Sequence, residues 1–159
     1  MTQTIDVVEF QLGKEHYALD IQLAREIVEM IPITPLPRSP AYIKGIINLR
    51  GEITNIINLN ILLGLHDGET IANKKIIVLV PEAAGGSNIG IIVDDVSSVR
   101  QVTEKDIDTM DSAVLSSAYI KGIIKLGAED ETSDKNANQN NLTVWLDVQR
   151  LLQEQVVNT

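Results

Sequence analysis

Apolar and polar residues alternate with the two-residue period of half-buried strands over much of the chain, and turn residues interrupt them roughly every eight to twelve positions. Val8, Phe10 and Leu12 share one face of the opening segment and Glu9 and Gln11 the other; Gly13-Lys14-Glu15 turns the chain, and His16 to Leu19 returns. Residues 22–30 are ambiguous, because Leu23, Ile27 and Met30 fit a helical face while Ile27-Val28 suits a strand. One helical turn and then a short strand from Ile27 is the expectation. Pro32, Pro35, Pro37 and Pro40 exclude a helix or an internal strand and predict a stiff extended connector. Lys75 to Val80 and Ile89 to Val93 read as buried strands of a hairpin turned at Gly85-Gly86, and Ser97 to Val102 as another strand. Thr103 is a hydroxyl cap for a helix start. Leu142 to Leu146 is the last strand, with Trp145 read as core, and Asp147 caps a terminal helix bearing Val148, Leu151, Leu152 and Val156 at helical spacing. Short strands with few helices predict a mainly β fold, as small barrels or a sandwich.

The pattern is sharpest from Ala41 to Gly64. An apolar segment ends at Leu49, Arg50-Gly51 makes a tight turn, a second apolar segment runs from Ile53 to Leu59, and a short cap ends at Gly64. Gly51 supplies positive φ and the flanking isoleucines favour paired strands, so this is a hairpin. Arg50 stands at its tip with a permanent charge and five fixed donors, and Glu26 is its candidate partner. Residues 41–47 recur identically as 118–124, both AYIKGII. A period that long suits a duplicated half-domain rather than a solenoid, so two similar β subdomains are expected, roughly the first and second halves of a single domain over 1–159.

Composition narrows the chemistry. With 159 residues, 44% of them hydrophobic, the chain can bury an ordinary core. Cysteine is absent, which excludes disulfides and thiolate metal sites. A formal charge of −9 argues against nucleic acid, and one Trp, three Tyr and one Phe leave few stacking platforms. No basic-then-apolar leader and no apolar run near about 18 residues is present, so a cytoplasmic location without direct membrane insertion is expected. No nucleophile elbow, HExxH, P-loop or Gly-rich dinucleotide turn occurs, and no catalytic residue, cofactor or metal is assigned. His16 reads as exposed strand polarity. Asp94-Asp95 reads as a solvated turn, since strand neighbours point to opposite faces. Residues 128–141, AEDETSDKNANQNN, lack large apolar side chains and are expected to form a mobile acidic loop inside a hairpin.

Ala24-Arg25-Glu26-Ile27, the proline-containing link and YIKGIINLRGEITNIINLNILLG together resemble the signature region of the CheW family. The family's run has the form (Y/F)xxGxxNLRGxxxPVxDLxxxLG, matched here by Tyr42, Gly45, Asn48, Leu49, Arg50, Gly51, Leu59, Leu63 and Gly64. Asn55 replaces the usual proline, Asn58 the usual aspartate, and the acidic insertion replaces a short loop. The resemblance implies two five-stranded SH3-like barrels around a shared hydrophobic core, with short helices and a C-terminal helix. It also implies a non-catalytic cytoplasmic adaptor, recruited to membrane-associated arrays, that couples chemoreceptors (methyl-accepting chemotaxis proteins) to the CheA histidine kinase. Its partners would be the regulatory domain of CheA and the cytoplasmic tip of the receptors. The residues it marks for partner binding are Glu26, Ile27, Lys44, Gly45, Asn48, Leu49, Arg50 and Gly51. The alternatives are an adaptor of a pilus-motility or other CheA-linked pathway and, from a different class, a small-molecule-binding β-barrel or a hydrolase.

Overall fold

A computed structural model of the chain describes residues 4–65, 74–109, 113–114, 118–125 and 142–157. The strands are β1 (Thr4–Leu12), β2 (Glu15–Asp20), β3 (Ala24–Glu29), β4 (Ile43–Leu49), β5 (Glu52–Asn58), β6 (Lys75–Leu79), β7 (Ile89–Val93), β8 (Asp95–Thr103), β9 (Ile107–Asp108), β10 (Ile120–Lys125) and β11 (Leu142–Leu146). Helix α1 (Leu59–Leu62) follows β5, and α2 (Val148–Leu152) follows β11 and runs into a π turn over Gln153–Val157.

The strands form two sheets, ordered β8-β1-β2-β11-β10-β9 and β3-β6-β7-β5-β4. Each is an antiparallel set broken by one parallel pairing, β2 with β11 in the first and β5 with β7 in the second. Thr34 extends the second sheet by a single bridge to Ile46, where β9 extends the first by pairing with β10. The two sheets therefore share one topology, and the strand counts of six and five differ only because β9 is a full pairing and Thr34 a bridge. The expected split into halves needs correction. Hairpin β1–β2 completes the barrel built on β8–β11, while hairpin β6–β7 completes the barrel built on β3–β5. Each half of the chain lends its hairpin to the other. Parallel pairing cannot be made by a tight turn, so the crossover has to come from a distant segment.

The two-residue period sorts neighbouring side chains into different cores. Val7, Ala18 and Trp145 fill the first barrel, Ile56, Ile76 and Val78 the second, while Val8, Leu19, Ile57, Ile77 and Leu146 face a larger core between them. Strands buried on both faces explain the unbroken apolar run from Ile76 to Val80. Helix α2 closes the central core with Val148, Leu151 and Leu152. Its cap is as expected: Asp147 Oδ1 accepts from the Arg150 amide at 3.2 Å. Asn58, in the matching place before α1, accepts from the Asn60 amide at 3.1 Å, so the neutral amide still caps where the family has aspartate. The two capping residues also make the same backbone bond, Asn58 to the Tyr42 carbonyl and Asp147 to the Tyr119 carbonyl, each 2.8 Å.

Several local expectations are refined. A 3₁₀ turn over Ile21–Leu23 does precede a strand, but β3 starts at Ala24 because pairing with β6 begins at the Ala24–Leu79 match. Thr103 and Asp106 form a capping box on a single 3₁₀ turn rather than a helix. Trp145 is core, and its Nε1 donates to Asp20 Oδ1 at 2.6 Å. His16 is exposed. Asp94 is not a solvated turn residue: its side chain is mostly buried, accepts from the Gly13 amide and pairs with Lys74 at 3.6 Å, while its own amide donates to the Gln11 carbonyl at 2.9 Å. Asp95 turns the other way and holds the Val96 amide at 2.9 Å. The acidic segment 128–141 lies outside the described residues.

Candidate partner-binding site at the hairpin tip

Leu49 and Glu52 form the last pair of the β4–β5 hairpin, leaving Arg50 and Gly51 as its two-residue loop. Both have positive φ, 52° and 89°, the combination of a type I′ turn whose twist matches that of paired strands. Gly51 adopts this freely, but a side chain at Arg50 costs about 1 kcal/mol there. Asn48 offsets part of that cost, since its Oδ1 accepts from the Gly51 amide at 2.8 Å and closes the turn. Arg50 then reaches from the tip to Glu26 on β3, and Nη2 donates to Oε2. The arginine side chain is 61% exposed and the glutamate 25%, so the acid is half sunk and the base is presented outward.

A second pair lies beside it: Arg25 Nη1 donates to Glu52 Oε1 at 3.3 Å. Consecutive strand residues ordinarily face opposite ways, yet Arg25 and Glu26 both meet the same tip. The cause is a bulge, in which Ala24 pairs with Leu79 and Glu26 with Val78 so that Arg25 is the extra residue. Neither Arg25 nor Glu52 is among the residues the resemblance marks for partner binding. The complementary order of Arg25-Glu26 against Arg50 and Glu52 was the available signal.

The other expected site residues divide. Ile27 is 41% exposed on β3, and Ile53, 57% exposed, lies one residue past Glu52. Leu49 is half-buried against the core of the second barrel. Gly45 is buried and structural: at φ 146°, a Cβ there would stand 2.2 Å from the Thr34 carbonyl oxygen, which accepts from the Ile46 amide at the barrel seam. Lys44 is exposed, and its side chain bonds to none of the other site residues. The structure thus joins Glu26 to Arg50 and Asn48 to Gly51, places Ile27 on the surface, and packs Gly45 against the Thr34 carbonyl. Among the described residues no group of three or more His, Asp or Glu side chains is arranged to hold a metal, and no helix is long and apolar enough to cross a membrane.

The CheW-like domain family matches residues 6–156. The chain is 33% identical over 132 residues to the chemotaxis protein CheW of Treponema pallidum, covering 79% of this chain and 75% of that one. It is 26% identical over 149 residues to the chemotaxis protein CheW of Thermotoga maritima, covering 94% and 88%. Its fold is similar to the crystal structure of the scaffolding protein TtCheW from Thermoanaerobacter tengcongensis, with a TM-score of 0.73 and 28% identity over 94% of this chain and 88% of that one.

Proposed function

The chain belongs to the CheW family, and from that premise we propose that it is a non-catalytic adaptor of chemotaxis signalling that couples chemoreceptors to the CheA histidine kinase. The observation that carries the receptor half of this reading is the hairpin tip. Two ion pairs tie β3 to the β4–β5 loop, and they are bordered by apolar side chains that the fold leaves in water. Burial of Ile27 and Ile53 under a partner contributes affinity, while the charged clasp sets the partner's register. An adaptor also needs a second surface. Val99 on β8 pairs with Val8 as Ile27 on β3 pairs with Ile77, so the two occupy matching places on the edge strands of the two barrels, and Val99 is 58% exposed. Two apolar edges on one rigid body suit a molecule that joins two others and performs no chemistry. Its place is the cytoplasm, at the membrane-associated receptor arrays.

Calorimetric titration against the regulatory domain of a CheA from the same cell, at moderate salt, tests the reading. Saturable one-to-one binding supports it. No heat with partner concentrations on the order of tens of micromolar overturns it. In a reconstituted array, Arg50→Ala is expected to keep its fold and to weaken receptor-coupled kinase control, and a folded variant with full coupling would remove Arg50 from the site.

A further inference from the structure

The chain passes between the two sheets twice. From β2 to β3 it crosses through the 3₁₀ turn Ile21–Leu23, and from β7 to β8 it returns through Asp94 alone, since β7 ends at Val93 and β8 begins at Asp95. At each crossing one backbone bond joins the chain to the end of a strand: the Val80 amide donates to the Leu23 carbonyl and the Asp94 amide to the Gln11 carbonyl, both at 2.9 Å. Side chains set the crossings apart. Ile21 and Leu23 pack against the central core. Asp94 instead brings a carboxylate whose two oxygens go to different barrels. Oδ2 accepts from the Gly13 amide, in the turn between β1 and β2, and Oδ1 lies 3.6 Å from Nζ of Lys74, the residue before β6. The Asp94 and Lys74 side chains are 12% and 15% exposed, so solvent screens the pair little.

Each strand that leaves this junction leads to one of the two surfaces of the adaptor. β6 follows Lys74 and pairs along β3, where Arg25 and Glu26 meet the hairpin tip. β8 follows Asp94 and carries Val99 on the exposed edge of the other barrel. Burial of the core between the sheets drives the barrels together but is non-directional. A buried ion pair adds little net stability, because desolvation offsets its attraction, yet it penalises any packing that separates the carboxylate from the ammonium. The junction therefore discriminates between barrel orientations more than it holds the barrels together.

We infer that Asp94 is a positioning residue: through Gly13 on one side and Lys74 on the other it fixes the angle between the barrels, so that occupancy of the receptor clasp is transmitted to the partner at the second surface. This rests on the adaptor reading above and adds to it a mostly buried residue that lies outside both surfaces.

The test uses the whole protein with Asp94→Asn, Lys74→Met and the two combined. Asparagine keeps an acceptor for the Gly13 amide and methionine keeps the apolar stem of the lysine, and the double variant leaves no buried charge unpaired. Because the chain has no cysteine, Glu29→Cys and Gln101→Cys introduce two exposed sites for spin labels, one on each barrel, and the distance between the labels reads the angle. Wild type is expected to give one narrow distance distribution and the variants a broader one. In a reconstituted array the unlabelled variants should bind the receptor fragment and the kinase regulatory domain within about twofold of wild type while losing about fivefold in receptor-dependent kinase control. The double variant should recover the melting temperature but not the control, which separates positioning from stability. Full control in the folded double variant, or a distribution as narrow as that of wild type, would overturn the inference, as would a loss of control matched by an equal loss of affinity for either partner. A wild-type protein that binds neither partner would overturn the adaptor reading itself, while the spin-label distances still decide whether Asp94 sets the angle.

Discussion

Arg50 shows how one residue serves the tip against its own backbone preference. At φ 52° it occupies a position that Asn or Gly fills more cheaply, and it stays because its guanidinium is needed at Glu26. Arg50→Asn should accordingly hold the melting temperature within about 2 degrees, relief of the turn offsetting loss of an exposed ion pair, while receptor coupling falls. A large thermal loss would mean that the pair is structural first. Gly45 and Gly122, equivalent in the repeat, allow a sharper comparison. A Cβ on Gly45 would meet the Thr34 carbonyl at 2.2 Å with φ at 146°, whereas one on Gly122 would meet the Ile107 Cγ2 at 2.7 Å, the end of a side chain that can move. Denaturant melts should show Gly45→Ala losing about 3 kcal/mol and Gly122→Ala about 1 kcal/mol. Glu154 is the residue with a resolved acid dependence. Its carboxylate accepts from Arg150 Nε and from the Tyr119 hydroxyl, both at 3.0 Å, and these bonds, Arg150's first, hold it below the ordinary glutamate range. A depressed folded pKa contributes stability above the unfolded value and loses it as pH falls through the folded one. Wild type should therefore lose more stability than Glu154→Gln between about pH 6 and about pH 3, measured by chemical denaturation.

Matching elements of the two barrels differ where one has traded apolar packing for charge. Val28 and Val78 stand diagonally across β3 and β6 at the core of the second barrel, Val28 pairing with Ile76 and Val78 with Glu26; the same register places Arg100 and Glu9 at the matching positions of β8 and β1. Glu9 is 6% exposed, with Arg100 Nε 3.2 Å from its Oε2 and the Thr143 hydroxyl donating to the same oxygen at 3.4 Å. Deleting one member of a buried pair costs more than replacing both. Glu9→Val is expected to cost about 2 kcal/mol, and Glu9→Val with Arg100→Val to recover most of it by adopting the solution already present in the other barrel. A double variant as unstable as the single one would show that the two barrel interiors are not interchangeable. At this scale the sequence was largely readable. Alternation, the Arg50-Gly51 turn and the Asp147 cap are local features, and each appears where its residues predict it. The bulges at Arg25, Lys44 and Lys121 were not readable, because a bulge is defined by the partner strand's register and not by the residue that protrudes.

At the scale of the whole molecule, reciprocal exchange of hairpins makes the two barrels one cooperative body. Neither half of the chain contains a complete sheet, and the largest core lies between the sheets. Thermal unfolding should show a single transition with calorimetric and van't Hoff enthalpies in agreement. Fragments ending near residue 66 and beginning near residue 74 should each be unfolded alone and should assemble one-to-one when mixed, observed by circular dichroism and size exclusion. Independent folding of either fragment would contradict the exchange. Rigidity also bears on function, since an adaptor that joins two partners transmits their relative orientation only if its own two lobes do not drift.

The sequence by itself determined the strand class, the repeat, the tip turn, the helix caps and the lack of any catalytic motif, because each depends on residues close together in the chain. It also carried the family resemblance, whose most specific part lies in one contiguous stretch. Tertiary structure alone decided that β1–β2 belongs with β8–β11, that Asp94 reaches the Gly13 amide, that Arg25 meets Glu52, and that Lys121 meets Asp20. Those pairings span tens of residues and depend on which buried faces meet, and alternation is the same for every strand that could have filled the place.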